Sequence, residues 1–363
     1  MNRHAKRVIF GSCSWGLGHA TRDLALMRGL LARGCELTVI STGAARRVLQ
    51  SELGSAGNYL DWPDIPTSVA PTSLGFYLRT ITHIPQILKT WFAERRRLAR
   101  LLRQEHYDLV ISDHRNGLVT RQVPCYFITH SPRYIAPWRD PFMEAVMELF
   151  LARWFTPTRK ILIPDDRVGG LSGDMSHKVR FTPADKLVYL GILSSLRRRE
   201  LPQDIDYFIS ISGPEPQRTI LQNLILPQLP ELQGQIVIAL GQPGATPPPV
   251  PANVEIHAYL DRAGQAEMMN RSRLVVCRSG YTTLMELAEL GRRALLIPTP
   301  GQSEQLYLAK TLRRRGLYHS VTQDKLDLAR DAALALAKPG YRPEHLTEQS
   351  VERFLEVVLG SDG

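Results

Sequence analysis

Residues 275–309 read VVCRSGYTTLMELAELGRRALLIPTPGQSEQLYLA. An apolar run of strand length gives way to small and polar residues and then to helical periodicity, and the pattern repeats at once. The stretch therefore predicts strand, turn, helix, strand, polar loop and helix. Arg278, Ser279, Gly280, Thr283 and Glu286 fall at the first junction; Glu304 and Gln305 fall at the second. Junctions that follow successive parallel strands lie side by side at the carboxyl edge of an α/β sheet, where ligands bind. The segment by itself points to a nucleotide-sugar site.

Outward from this stretch, the same alternation runs through the whole chain. Strands are expected at 7–14, 36–41, 108–112 and 125–129, with a helix over 20–32 ended by Gly34. A second series begins near Tyr207 and continues through 235–240, 254–257, 274–277 and 294–298. Such alternation predicts α/β architecture with parallel sheets covered by helices on both faces. Two doubly wound, Rossmann-like domains facing a cleft are expected, at 1–192 and 193–343. The stretch 190–205 reads as the linker. A last helix, 345–359, carries Leu346, Val351, Phe354, Leu355 and Val358 on one face, and 344–363 is set apart from the second domain.

Bulk properties narrow the class. The chain has 363 residues, 44% of them apolar and 22% charged, as in ordinary globular proteins with more than one core. It contains no apolar run of about 18 residues, and MNRHAKRVIFGSCS lacks the apolar region of a signal peptide. A cytoplasmic place is expected. Cys13, Cys35, Cys125 and Cys277 have no metal-binding spacing and read as reduced, mostly buried thiols. The net charge of +10 favours anionic partners without choosing among nucleotides, membranes and nucleic acid.

The first loop is Ser14-Trp15-Gly16-Leu17-Gly18-His19-Ala20-Thr21-Arg22. Gly16 and Gly18 let the backbone approach an anion at a helix N-terminus, as an acceptor or phosphate loop would. Thr21 stands where a dinucleotide fingerprint needs Gly or Ala, and no acidic residue closes the second strand, which argues against NAD. His19 is a candidate general base or simply a histidine bonded to its turn. Asp113, at the carboxyl end of DLVISD, is placed to orient His19 and stabilise its protonated form, or to cap a following helix. His114 and His130 compete for these roles. No cluster suggests a metal.

In the second series, Glu286 reads equally well as an acceptor for ribose hydroxyls and as the acid of a capping box, Thr283-Leu284-Met285-Glu286. The preceding Arg278, Ser279 and Gly280 favour a ligand site, with Arg278 and Ser279 meeting phosphate or framing the pocket. Glu304 and Gln305 suit sugar hydroxyls, which need both acceptors and donors; an ordinary acidic first turn is the alternative.

RSGYTTLME and PTPGQSEQLYLA resemble the C-terminal domain of family 28 glycosyltransferases, the group that includes the lipid II-forming enzyme of peptidoglycan synthesis. GLGHATR is similar to members of the same group. The resemblance implies a GT-B fold and an inverting transfer of a sugar, a hexose or N-acetylhexosamine, from a UDP-sugar to an acceptor hydroxyl. It implies no cofactor and no metal, the UDP-sugar being a co-substrate. That 344–363 packs back on the first domain is implied only by this resemblance. It carries Glu286 to the ribose, Ser279, Gly280 and Thr283 to the diphosphate region, and Gln305 and Glu304 to the donor sugar. Leu260 matches the position whose backbone reads the base; Gly213 and Arg218 match a phosphate loop. That loop departs from the family pattern, because Pro214 and Pro216 remove N–H donors and Glu215 adds a negative charge. Arg218 or the helix dipoles are expected to compensate, and helix N-termini with Arg218 or Arg278 to hold the charge of the departing UDP.

The stretch 76–104 combines Phe76, Tyr77, Ile84, Leu88, Trp91 and Phe92 with Arg79, Lys89, Arg95, Arg96, Arg97, Arg100 and Arg103. The residues slightly favour a helix that packs its apolar side and solvates its charges. The resemblance, which includes lipid-linked acceptors, adds peripheral binding to an anionic membrane at its inner face. Two other readings stand beside transfer: a UDP-N-acetylglucosamine 2-epimerase-like enzyme, and a non-enzymatic binder of nucleotide-sugar or nucleic acid. No nucleic-acid-binding motif is present, and none is expected as a partner.

Overall fold

A computed structural model describes residues 5–65, 73–136 and 139–360, and the side chains of 73–81 lie outside it, those of Phe76, Tyr77 and Arg79 among them. The chain divides into two compact units. One comprises Met1–Ser68, Leu78–Ser195 and Glu344–Gly363, the other Val69–Tyr77 and Leu196–Pro343.

The first unit runs β1 (Arg7–Ser12), α1 (Leu17–Ala32), β2 (Glu36–Ser41), α2 (Gly43–Leu53), β3 (Gly57–Asp61), α3 (Ser73–Gln104), β4 (Leu109–Asp113), β5 (Cys125–Ile128), α4 (Pro141–Trp154), β6 (Lys160–Ile163), α5 (Asp174–His177) and β7 (Leu187–Tyr189). Its seven strands are parallel in the order β3-β2-β1-β4-β5-β6-β7. VIF of β1 and LVI of β4 are buried on both faces, the continuous apolar run that a covered parallel sheet requires. The order reverses between β1 and β4, where Ser12 lies opposite Asp113 and Cys13 N donates to Asp113 O at 3.1 Å. The turn that opens α1 thus starts beside the end of β4.

The second unit runs β8 (Ile205–Ser210), α6 (Gln217–Ile225), β9 (Ile236–Ala239), β10 (Val254–His257), α7 (Arg262–Arg271), β11 (Ser272–Cys277), α8 (Tyr281–Leu290), β12 (Arg293–Leu296), α9 (Ser303–Arg314), β13 (His319–Ser320) and α10 (Leu328–Leu336). Its six parallel strands are ordered β10-β9-β8-β11-β12-β13, with the reversal between β8 and β11. Ile209, Leu221, Ile238, Leu274, Leu295 and Ala332 lie within one core. Gly291, left-handed at φ 62°, ends α8.

The chain then returns to the first unit with α11 (Thr347–Leu359). It packs on α1 so closely that a Cβ on Gly29 would come within 2.7 Å of Val351. Phe354, Leu355 and Val358 are buried, but Leu346, expected on the same face, is the N-cap and is exposed. The stretch 190–205 is irregular up to β8, yet Leu190, Ile192, Leu193 and Leu196 are buried, so most of its start is packed chain and not free linker. All four cysteines are free and buried.

Candidate active site

In the first unit, Gly16 is the N-cap of α1 at φ 75°, a left-handed value that favours glycine, and Gly18 and His19 lie in the first turn. Ser14 gives both its N–H and its hydroxyl to Asp64 Oδ2 at 2.8 Å, and Trp15 Nε1 donates to Ile65 O at 3.2 Å. The first donors of this loop are therefore held by a carboxylate of the protein, so the anion cradle expected around Gly16 and Gly18 shrinks to the first turn of the helix.

His19 meets Asp113 as the spacing predicted: Nδ1 lies 2.9 Å from Oδ2. His114 Nδ1 lies 3.0 Å from Oδ1, and Arg22 donates from Nε to Oδ2 at 3.0 Å and from Nη2 to Oδ1. Arg22 Nη2 is also 2.9 Å from His19 Nδ1. An ionised carboxylate only accepts, so a histidine that bonds to it donates from Nδ1 and keeps a lone pair on Nε2; at His19 the donor Arg22 Nη2 competes for the same Nδ1, and the bond to Asp113 is the one that leaves Nε2 basic. His114 Nε2 is then matched by Thr129 Oγ1 at 3.0 Å, which leaves His19 Nε2 as the basic atom of the group. Asp113 caps no helix, because irregular chain follows β4.

Burial would raise the Asp113 carboxyl, but the guanidinium of Arg22 and then His19 outweigh it and hold it well below the usual carboxylate range. Burial lowers the His19 imidazole below its ordinary value against the upward pull of Asp113, with Arg22 adding to the lowering. Asp113 thus favours the protonated ring, as expected, but burial and then Arg22 outweigh it, so the net direction for His19 is downward. His19, Asp113 and His114 approach closely enough to hold a cation. Arg22, however, already covers both oxygens of Asp113 and would repel a second cation. Asp23, bonded by Ser12 Oγ at 2.6 Å, is pushed well above the carboxylate range by burial and then by the charge of Asp113.

In the second unit, the predicted residues follow the carboxyl ends of strands of one parallel sheet. Gly213 follows β8, Leu260 follows β10, Arg278, Ser279 and Gly280 follow β11, and Glu304 and Gln305 open α9 after β12. Gly280 is the N-cap of α8, so Thr283 is the third helical residue and not a cap. The capping box is overturned. Glu286 instead accepts from Arg262 Nη2 at 2.9 Å. Burial raises its carboxyl above the ordinary range, and Arg262 opposes the rise.

Ser279 Oγ donates to Gln305 O at 2.9 Å, and Gln305 Oε1 accepts from Thr299 N at 2.8 Å. These bonds lock the two junctions together and turn Gln305 Nε2 toward Gly280, 4.0 Å from where a Cβ would stand. The Thr299 hydroxyl, buried and without a partner, lies 4.0 Å from the corresponding point on Gly213. Gly213 itself is left-handed at φ 112°.

Two expected phosphate cations are engaged elsewhere. Arg278 is buried, and its guanidinium donates to Gln217 O at 2.9 Å and Ile297 O at 3.2 Å, with Pro298 O and Ser212 O at 3.4 and 3.5 Å. It ties three loops together, and burial alone brings its pKa down to about 10. Arg218 pairs with Glu215 at 2.6 Å and donates to Gly241 O at 2.7 Å. It therefore neutralises the acid of its own loop. Sequence reasoning missed Arg22, Arg262 and Thr299 as site residues. The spacing of His19 and Arg22, three apart on one helix face, was the one available signal for the first.

Residues 219–351 match the model of the glycosyltransferase family 28 C-terminal domain. An uncharacterized glycosyltransferase of Methanosarcina mazei is 24% identical over 85% of this chain and 84% of its own length. The UDP-N-acetylglucosamine–N-acetylmuramyl-(pentapeptide) pyrophosphoryl-undecaprenol N-acetylglucosamine transferase of Methylobacterium radiotolerans is 38% identical over 24% of this chain and 20% of that one. The solved structure of the kitacinnamycin glycotransferase superposes with a TM-score of 0.67 at 14% identity, covering 98% of this chain and 96% of that one. The chain is a glycosyltransferase of the GT-B fold, similar over residues 219–351 to the family 28 C-terminal domain and similar to the lipid II-forming transferase.

Proposed function

We propose that this enzyme transfers a hexose or N-acetylhexosamine from a UDP-sugar to an acceptor hydroxyl, with inversion and without a metal. The observation that carries the reading is the His19–Asp113 contact at 2.9 Å, with Nε2 of His19 left basic. His19 Nε2 takes the acceptor proton as the oxygen forms its bond to C1 of the donor sugar. The bond from C1 to the diphosphate oxygen breaks, and UDP departs with the electron pair. One displacement at C1 inverts the anomer. Asp113 holds the ring in register and supports the imidazolium while the proton resides there.

On the donor side, the carboxylate of Glu286 accepts the ribose hydroxyls and the backbone at Leu260 meets the base. The Thr299 hydroxyl, the helix N-terminus at Gly280 and the amide of Gln305 face the diphosphate and sugar. An acceptor carried on a lipid, and a working place at the inner face of a membrane, belong to the same reading. Among the described residues no helix is long and apolar enough to cross a membrane.

The test is turnover of UDP-N-acetylglucosamine and UDP-glucose, with and without chelator, followed by nuclear magnetic resonance to fix the anomer of the product. The reading expects turnover that survives chelation, an inverted product and loss of turnover in His19→Ala. A retained anomer overturns it. So does a donor converted, without any acceptor, to its C2 epimer.

A further inference from the structure

Asp113 is followed directly by His114, whose backbone stands at φ 53°. This is the left-handed region, which favours glycine and asparagine and which a histidine occupies only where its surroundings hold it there. Here they do. The His114 N–H donates to Ile128 O at 3.3 Å. The ring packs with its centroid 4.7 Å from that of His19, 5.2 Å from that of His130 and 6.3 Å from that of Phe127.

A chain of hydrogen bonds also fixes the tautomer of this ring. Ser131 N donates to Thr129 Oγ1 at 3.0 Å. The Thr129 hydroxyl keeps its own hydrogen and gives it to His114 Nε2, 3.0 Å away. With Nε2 accepting, the ring hydrogen stands on Nδ1, 3.0 Å from Asp113 Oδ1. The turn after β5 thus reaches one oxygen of the carboxylate through His114, while His19 Nδ1 lies 2.9 Å from the other. Both nitrogens of His114 are engaged, so this ring is an anchor and not a second base.

The carboxylate needs such an anchor. The torsion that sets its plane is broad. Arg22 touches both oxygens, but from the end of a long side chain on α1, and its Nη2 also lies 2.9 Å from His19 Nδ1. A carboxylate free to turn would yield Nδ1 to that N–H. A neutral imidazole that accepts at Nδ1 carries its hydrogen on Nε2 and has no lone pair there for an acceptor proton. His114, on the adjacent residue and bonded at both ends, is the shorter and stiffer hold.

We propose that His114 is a positioning residue of the transfer reaction: acting on Oδ1, it holds the Asp113 carboxylate in the plane that keeps the hydrogen of His19 on Nδ1. The proposal rests on the transfer function proposed above. Its test reads the His19 ring as well as turnover, so the two can fail separately.

His114→Gly leaves the left-handed backbone available and removes the ring. His114→Asn keeps the backbone too, and its amide nitrogen stands on Cγ as Nδ1 does, so an N–H can still reach Oδ1. The kcat of each is measured with UDP-N-acetylglucosamine or UDP-glucose, beside calorimetric UDP binding and nitrogen nuclear magnetic resonance of the imidazoles. In His114→Gly, kcat is expected to fall roughly ten- to a hundredfold, with KM and UDP affinity unchanged. His114→Asn should recover most of that loss. His19 should carry its hydrogen on Nδ1 in wild type and in His114→Asn, and should show mixed tautomers in His114→Gly. If wild type turns over neither donor, the transfer function fails and the ring spectra alone decide the proposal. A His114→Gly protein with wild-type kcat, or with His19 still wholly in the Nδ1 form, overturns it. So does an Asn variant as slow as the Gly variant, because the N–H on Oδ1 would then be immaterial. A raised acceptor KM with kcat and tautomer intact also overturns it and assigns the ring to acceptor binding.

Discussion

Arg22 lays Nε and Nη2 on the two oxygens of Asp113, the same carboxylate that His19 reaches from Nδ1. The carboxylate is wholly buried, so its charge is balanced by Arg22 and its direction is passed to the imidazole. Asp113→Asn keeps the shape but offers an amide that can present its N–H to Nδ1 and invert the tautomer. Turnover is expected to fall by roughly 10³–10⁴-fold with UDP affinity unchanged. The check is kcat beside calorimetric UDP binding on the same preparation. An Asn variant with most of the wild-type kcat would remove Asp113 from the mechanism.

The acid limb of the pH profile follows from the lowered imidazole. His19 works as a base only when neutral, and its pKa lies below the ordinary histidine value of 6.5. Activity is therefore present above that lowered pKa and is lost as pH falls through it. The profile of kcat/KM, which reports the free enzyme, should show its acid midpoint below 6.5 and a plateau at neutrality. A midpoint above 6.5 means that another group titrates or that His19 carries its proton in the resting enzyme.

Arg278 distinguishes scaffold from ligand contact. Replacing it with Met leaves the carbonyls of Gln217 and Ile297 buried without their donor. At about 1–3 kcal/mol for each orphaned group, the loss should appear as a clear drop in the urea midpoint. Unchanged stability together with lost nucleotide binding would return Arg278 to the phosphate.

Strong periodicity was legible. The strands at Glu36–Ser41 and Val254–His257 are where the apolar runs place them, and the helix after the first loop differs only at its start. β3 and β7 escaped notice because GNYLD holds two apolar residues and LVY is a three-residue edge. β6, with ILI in four residues, was short enough to pass as loop. At the site, His19 and Asp113 were readable because both stand at strand ends that a parallel sheet brings together. Their supports were not. Asp64 reaches Ser14 from 50 residues away, and Arg262 reaches Glu286 from 24, across a strand. The capping-box error had a local cause: T-x-x-E has the right spacing, but the helix begins at Tyr281, two residues before Thr283.

The central claim divides labour between a base on the first unit and a ribose-reading acid on the second. The measurement that tests it most directly is calorimetric titration of UDP into wild type, His19→Ala and Glu286→Ala. Wild type and His19→Ala are expected to bind equally. Glu286→Ala is expected to bind roughly ten- to a hundredfold more weakly, as the loss of charged hydrogen bonds to the ribose dictates. A Glu286→Ala protein that binds UDP like wild type, or a folded wild type that binds no UDP, would contradict the account.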